Sequence, residues 1–230
     1  MTHLKETRDQ VTVSTRNRTV STQYLMVCAG LMADRLAKMM HIDIDFSILP
    51  FRGEYFQLPA HRSDMVSRLI YPIPDPDLPF LGVHLTPMIN GCITVGPNAV
   101  LGFDREGYGR FNANFKDIAA MAVFPGFWKV MARHLGSGIK EQVDSVWKPG
   151  YLTRVRKYCP SLTKADLLPY PPGIRAQAVT RNGDLVHDFL FAQTPRSLHV
   201  CNAPSPAATS AIPIAQYLRD RAIDLFNLKG

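Results

Sequence analysis

The 230 residues predict an α+β protein. Three observations carry this. Near the start, Tyr24-Leu25-Met26-Val27-Cys28 is a continuous apolar run that stops at Ala29-Gly30, and helical spacing follows from Leu31 to Met40. In the middle, Asn90-Gly91 separates two alternating segments, a strong signal for an antiparallel hairpin. Near the end, a strand from Leu198 to Cys201 leads through a loop rich in proline and alanine into a helix.

The elements follow in order. Val11 and Val13 alternate with polar residues, Asn17-Arg18 marks a turn, and a second strand is predicted from Thr19 to Cys28. Its buried end, the glycine and the helix form a Rossmann-type unit, although G-x-G-x-x-G occurs nowhere in the chain. Leu49 to Leu58 and Val66 to Ile73 read as strands, and Pro72, Pro74, Pro76 and Pro79 as a stiff connector. Phe80 to Thr86 and Cys92 to Gly96 flank the Asn-Gly turn. Phe115 to Leu168 is helical in pattern, with breaks at Pro125-Gly126, Gly136 to Gly138, Pro149-Gly150 and Pro160. Strands return at Ile174 to Val179 and Phe189 to Gln193, joined through Asn182-Gly183. In the last helix a proline is tolerated only in the first turn, where backbone N–H groups have no partner. Ser210 as N-cap puts Pro213 at the third helical position. Ala211, Ile212, Ala215, Leu218, Ala222, Ile223 and Phe226 then share one face.

Composition narrows the function classes. Net charge is +7, but the 26 Lys and Arg are scattered without a tract, so a nucleic-acid surface is not expected. Attraction to an acidic substrate or an anionic membrane surface fits the charge equally well. Cys28, Cys92, Cys159 and Cys201 are isolated, which argues against a zinc site or disulfide framework and for a reducing compartment. Met1 to Gln10 are polar and charged, so no signal peptide is expected. The longest apolar run, Tyr24 to Ala33, is about half a membrane span, so membrane contact would be peripheral. We expect a cytoplasmic location, at the inner face of the membrane if such contact occurs.

Several residues suit chemistry. The start of the last helix sits among Ala207, Ala208 and Thr209, small side chains that let a ligand approach the backbone. Such an end stabilises an anion or a group that becomes one; it is equally the plain cap of a core-packed helix. In the hairpin, alternation puts Leu81, Val83, Leu85, Ile93 and Val95 on one face and His84, Thr86, Cys92 and Thr94 on the other. That polar face is solvated or is a cavity wall, where His84 suits the removal of a proton from a hydroxyl. Arg52-Gly53-Glu54 is a glycine between opposite charges in a strand, a bulge or a close backbone approach. Arg175 and Gln177 share a strand face, and a guanidinium suits a carboxylate because its fork donates two parallel hydrogen bonds. Gly30 lies at a strand end or a tight turn. His187 and His199 have no partners at metal spacing and read as structural.

Four stretches carry a resemblance to one family. They are Asn202-Ala203-Pro204-Ser205-Pro206-Ala207-Ala208-Thr209-Ser210; Gly82-Val83-His84-Leu85-Thr86 with Val95-Gly96-Pro97-Asn98-Ala99; Arg52-Gly53-Glu54-Tyr55; and Gly173-Ile174-Arg175-Ala176-Gln177. Together they resemble the L-2-hydroxyglutarate oxidase/dehydrogenase family, flavoproteins of the D-amino-acid-oxidase-like group. Many relatives in the wider group have glycines where this chain has Ala207 and Ala208. The resemblance implies FAD as cofactor and oxidation of a 2-hydroxy dicarboxylate, with electrons leaving to oxygen or membrane quinone. It implies a discontinuous FAD domain over residues 1–46 and 198–230, with a substrate domain over 47–197 inserted. It implies His84 as base and Arg52, Arg175 and Thr86 at the substrate. Gly30, Gly53, Ala203, Pro204, Ala207, Ala208 and Thr209 would lie at the flavin. No metal is implied. Because the chain lacks the segment that grips the ADP half of FAD, we expect a C-terminal portion of a longer enzyme that alone binds FAD poorly or not at all. The rival expectation is a non-catalytic dicarboxylate- or partner-binding remnant.

Overall fold

The computed structural model describes residues 1–73, 82–109, 112–133, 147–203 and 207–228. Pro74, Pro76, Pro79, Phe80, Leu81, the Gly136 to Gly138 break and Pro204 lie outside these. The chain is α+β and divides into two compact units, Met1–Ile48 with Ala176–Gly230, and Leu49–Arg175.

The terminal unit holds two small sheets. Strands β1 (His3–Glu6), β2 (Val11–Ser14) and β3 (Thr19–Thr22) form an antiparallel meander. At the β2–β3 turn, Thr15 Oγ1 accepts from the Arg18 amide at 3.1 Å. The strand predicted from Thr19 to Cys28 is two strands. After β3 the chain leaves the meander at Gln23-Tyr24, and β4 (Leu25–Val27) joins a second sheet. Gly30, with φ +48, starts a 3-10 turn that runs into α1 (Ala33–Met39).

In the second sheet, of order β10-β11-β4, β10 (Leu190–Gln193) is antiparallel to β11 (Ser197–Asn202), and β11 is parallel to β4. The two strands predicted on either side of Asn182-Gly183 do not pair with each other among the described residues: β10 pairs with β11, and the Val179–Leu185 bridge closes the Asn182-Gly183 turn. The last helix, α5 (Ala211–Phe226), starts at the predicted residue, with Ser210 as N-cap. It buries Leu218, Ala222 and Phe226, and Ala222 and Phe226 pack with Leu198. The first turn of its apolar face is not buried: Ile212 is 76% exposed.

The middle unit is a sheet with helices. Strands β5 (Phe46–Gln57), β6 (His84–Pro87), β7 (Ile93–Gly96) and β8 (Val100–Leu101) run in the order β6-β7-β5-β8, and β9 (Leu168–Thr180) also pairs with β5. The Asn-Gly pair closes a three-residue loop: Gly91 N–H donates to Met88 O, Met88 N–H donates to Cys92 O, and only Gly91 takes positive φ. Val66 to Ile73 is not a strand. Residues 67–69 are exposed, and one bridge, Ile70 to Leu85, is its whole ladder. Helix α2 (Phe115–Ala122) is capped by the Asn114 side chain, and Pro125 opens α3 (Pro125–Arg133). Pro149 sits in the first turn of α4 (Lys148–Val155), so the predicted break there is a helix start. Tyr151, Leu152 and Val155 of α4 pack on Phe56, Leu85, Ile93 and Val95.

Residues 176–197 cluster with the terminal segments rather than with the middle of the chain, where they were expected. The cause is burial: Ala178 packs with Ala33, Phe46, Ile48 and Cys201. Among the described residues, no helix is long and apolar enough to cross a membrane.

Candidate functional site

In the middle unit the β6–β7 ribbon has two chemically distinct faces. Leu85, Ile93 and Val95 are buried in the core. On the other face His84 lies across from Gly96, and Thr86 across from Thr94. The His84 ring stacks on Tyr71, with centroids 4.3 Å apart and planes 15° from parallel. Its Nδ1 lies 3.3 Å from the Gly82 carbonyl oxygen. A carbonyl only accepts, so this contact places the proton on Nδ1 and leaves the lone pair on Nε2. Burial holds the imidazole below its ordinary pKa of 6.5, and the Gly82 hydrogen bond partly opposes this. The product is a neutral imidazole able to accept a proton.

Tyrosines surround this face, and sequence reasoning missed them. Phe56 pairs with Val95 in the core, so Tyr55 points the other way, toward the His84 face. A side chain at Gly96 would come within 3.1 Å of Tyr55 Cδ1. Tyr55 meets Tyr170 edge to face at 6.4 Å. Its phenol is held above 10.0, first by burial and then by Tyr71 and Tyr170. The alternation of Gly53 and Tyr55 in β5 was a usable signal. Tyr71 was missed although its segment reads as a strand, because nothing in that segment names Leu85 as the partner that brings it to His84.

Arg52 and Glu54 alternate with Gly53 and Tyr55 and so lie on the opposite side of β5 from His84. Arg52 Nη2 is 3.4 Å from Glu54 Oε1, and the side chains are only 13% and 9% exposed. The Glu54 amide donates to Asn98 Oδ1 at 2.8 Å, and Asn98 Nδ2 approaches Glu54 Oε2 at 3.5 Å. Arg52 is therefore engaged by a carboxylate of its own strand. Gly53 faces the same loop, where an added Cβ would stand 2.7 Å from Pro97 Cβ and 3.3 Å from Asn98 O. Gly53→Ala is expected to cost about 1–3 kcal/mol of stability by overpacking, read as a shift of the urea midpoint at unchanged slope. A variant as stable as the parent would show that the loop yields freely. Arg175 ends the middle unit; it is exposed, although desolvation by neighbouring protein atoms lowers its pKa from the usual arginine range. It stays charged at any physiological pH.

In the terminal unit, β4 and β11 run parallel with Leu25 to Val27 level with Ser197 to His199. Their carboxyl ends lead into the two loops singled out by sequence, which therefore leave the same sheet edge. In open sheets with parallel strands this edge is where ligands bind. Gly30 is exposed, and an added Cβ would meet nothing within 4 Å, so its left-handed φ alone demands glycine. On the β11 side, Asn202 Nδ2 donates to Asp188 O at 2.7 Å and to Val186 O at 3.3 Å, fixing where the loop begins. Ala203, Ala208 and Thr209 are exposed and Ala207 is half-buried. Ser210 makes no side-chain cap, so the N-terminal end of α5 keeps its small, polar backbone surface.

Other polar groups here are structural. His199 is buried, with Nε2 3.1 Å from Ser197 Oγ, and burial lowers its pKa. Cys201 is pushed up to about 11, chiefly by burial, and is an inert thiol. Among the described residues no group of three or more His, Cys, Asp or Glu could hold a metal ion.

Comparison with known proteins bears on this arrangement. A family described as FAD dependent oxidoreductase matches residues 1–221. Proteins named L-2-hydroxyglutarate dehydrogenase are similar over nearly the whole chain. The one from Salmonella houtenae is 56% identical, over 89% of this chain and 49% of its own length. The one from Escherichia coli (strain K12) is 52% identical, over 94% and 51%. The mitochondrial one from Nematostella vectensis is 42% identical, over 95% and 49%. The chain thus spans about half the length of the curated relatives it matches. A solved structure, dithionite-reduced L-α-glycerophosphate oxidase from Mycoplasma pneumoniae with FAD bound, shares the fold. Its TM-score is 0.66 at 22% identity, covering 99% of this chain and 50% of that one.

Proposed function

Because the chain belongs to the FAD-dependent oxidoreductase family, we propose that it supplies the substrate-handling unit and part of the flavin-binding unit of a dehydrogenase converting L-2-hydroxyglutarate to 2-oxoglutarate. The relatives' shared name supports the substrate. The observation that carries the chemistry is the His84 geometry: Nδ1 held against the Gly82 carbonyl and Nε2 carrying the lone pair.

FAD, when bound, supplies the acceptor for the hydride leaving the hydroxyl carbon. His84 Nε2 takes the hydroxyl proton as that carbon becomes a carbonyl. Thr86, on the same face, offers the substrate a hydroxyl. Arg175 holds a carboxylate through its fork. Arg52 would bind the second carboxylate only by leaving Glu54 and reaching round β5 to the His84 side. In the terminal unit Gly30, Ala203, Ala207, Ala208 and Thr209 are the residues we propose for the flavin; Gly53 is proposed for the same role in the middle unit, and Pro204 lies outside the described residues. The α5 terminus, where Ser210 makes no side-chain cap and the side chains are small, fits a planar group that gains negative charge. We place the final electron transfer at oxygen or at a membrane quinone, and the net charge of +7 suits peripheral contact with the anionic inner face of the cell membrane.

Arg175→Leu is expected to raise KM for L-2-hydroxyglutarate by about 10- to 100-fold, the worth of a hydrogen-bonded charge, with a smaller change in kcat. Arg175→Lys should recover part of it; an unchanged KM in Arg175→Leu would remove Arg175 from the site. A second reading is a dicarboxylate-binding protein that holds no flavin. Calorimetry with FAD and with 2-oxoglutarate separates the two. In the protein together with a segment that grips the ADP half of FAD, saturable binding of both ligands supports the dehydrogenase, and 2-oxoglutarate binding alone supports the second reading. A folded protein that binds neither contradicts both.

A further inference from the structure

We propose that Tyr71 is the positioning residue of the base: its ring fixes the plane of the His84 imidazole and shields one face from water, so that Nε2 is presented in one orientation. The inference rests on His84 as base and adds the residue that makes the base work. The backbone places the pair. Ile70 N–H donates to Leu85 O and Leu85 N–H donates to Ile70 O, both at 3.0 Å. In this antiparallel bridge the next residues on each side, Tyr71 and His84, stand opposite one another on one face. The rings accordingly stack at 4.3 Å and 15°.

Two contacts then fix the imidazole. Gly82 O holds Nδ1 at 3.3 Å and sets the tautomer. Tyr71 lies along one face of the ring and sets its plane. Across the ribbon stands Gly96, which brings no side chain against the imidazole. Tyr71 is itself 51% exposed, so its ring does not owe its place to burial in the core. A tyrosine kept half in water on a histidine is spent on the histidine. An ordinary cross-strand aromatic pair would add a little stability and leave proton transfer untouched. The positioning role predicts more.

The test compares Tyr71→Ala, which removes the ring, with Tyr71→Phe, which keeps it. Two readouts are taken on folded protein, checked by thermal unfolding. One is the NMR titration of the His84 imidazole, assigned by its loss in His84→Asn. The other is the rate of flavin reduction by L-2-hydroxyglutarate. Tyr71→Ala should move the titration upward, toward 6.5, and slow the rate about 10- to 100-fold by loss of orientation, with KM little changed. Tyr71→Phe should match the parent in both. An unmoved titration in Tyr71→Ala, or a moved titration with an unchanged rate, overturns the positioning role. So does a Tyr71→Phe that behaves like Tyr71→Ala. If instead His84→Asn keeps its rate, the base assignment fails on its own, and the titration still decides whether Tyr71 holds the ring.

Discussion

Replacing His84 by asparagine is expected to slow reduction of the bound flavin by L-2-hydroxyglutarate by about 10²- to 10⁴-fold, the usual worth of a general base. Asparagine keeps a polar group of similar reach and can still meet the Gly82 carbonyl, so the ribbon should fold unchanged. What it lacks is a nitrogen lone pair basic enough to take the proton. The pH dependence carries the same information. Burial holds the imidazole of His84 below 6.5, so the base stays neutral as pH falls through that value. The rate of flavin reduction should therefore be level above pH 6.5 and fall only at lower pH, as His84 becomes protonated. This acid limb should vanish in His84→Asn. Stopped-flow absorbance across pH checks both statements. An acid limb that persists in the variant would assign it to another group, and an unchanged rate would end the role of His84.

The largest expected stability effect lies in the terminal unit, at Asp34. This carboxylate sits in the first turn of α1 and is buried. It accepts from Ser47 Oγ and the Ile48 amide, each at 3.0 Å, and from the Arg35 amide at 2.9 Å. It therefore ties the start of β5 to the helix that follows Gly30. Asp34→Ala strips the acceptor from two backbone amides beside a core of Ala33, Phe46, Ile48, Ala178 and Cys201. The expected loss is about 3–5 kcal/mol, a large share of a typical fold's stability. Asp34→Asn, which keeps an acceptor oxygen, should lose less. Urea unfolding measures both; a loss under about 1 kcal/mol in Asp34→Ala would mean water replaces the carboxylate at no cost.

Much of the fold is local and was readable. The strand, the glycine with its left-handed φ and the helix appear in place, but the run predicted to be buried is not buried throughout: Met26 is 40% exposed and Cys28 is exposed. Pro213 located the start of α5 because a proline fits only the first turn. Pairing was less readable. Leu25 to Val27 lie beside Ser197 to His199, and nothing in either segment names the other. That distant partner draws the chain out of the first meander and splits the predicted strand.

The same holds for the candidate site. Alternation found the His84 face, but Arg-Gly-Glu reads alike whether exposed or buried. Asn98, 44 residues away, supplies the contact to Glu54 that makes it an internal network. Tyr71 escaped notice because a single bridge, not a strand, brings it to His84. Ala176 to Val179 belong with the terminal unit because Ala178 packs with Ala33, Phe46, Ile48 and Cys201, partners distant in sequence that β9 reaches only past Arg175.

The most direct test is anaerobic rapid mixing of the FAD-loaded protein with L-2-hydroxyglutarate, following flavin absorbance and 2-oxoglutarate together. The flavin should bleach and 2-oxoglutarate should form in equal amount. A folded, flavin-loaded protein whose colour persists, with no 2-oxoglutarate formed, would contradict this.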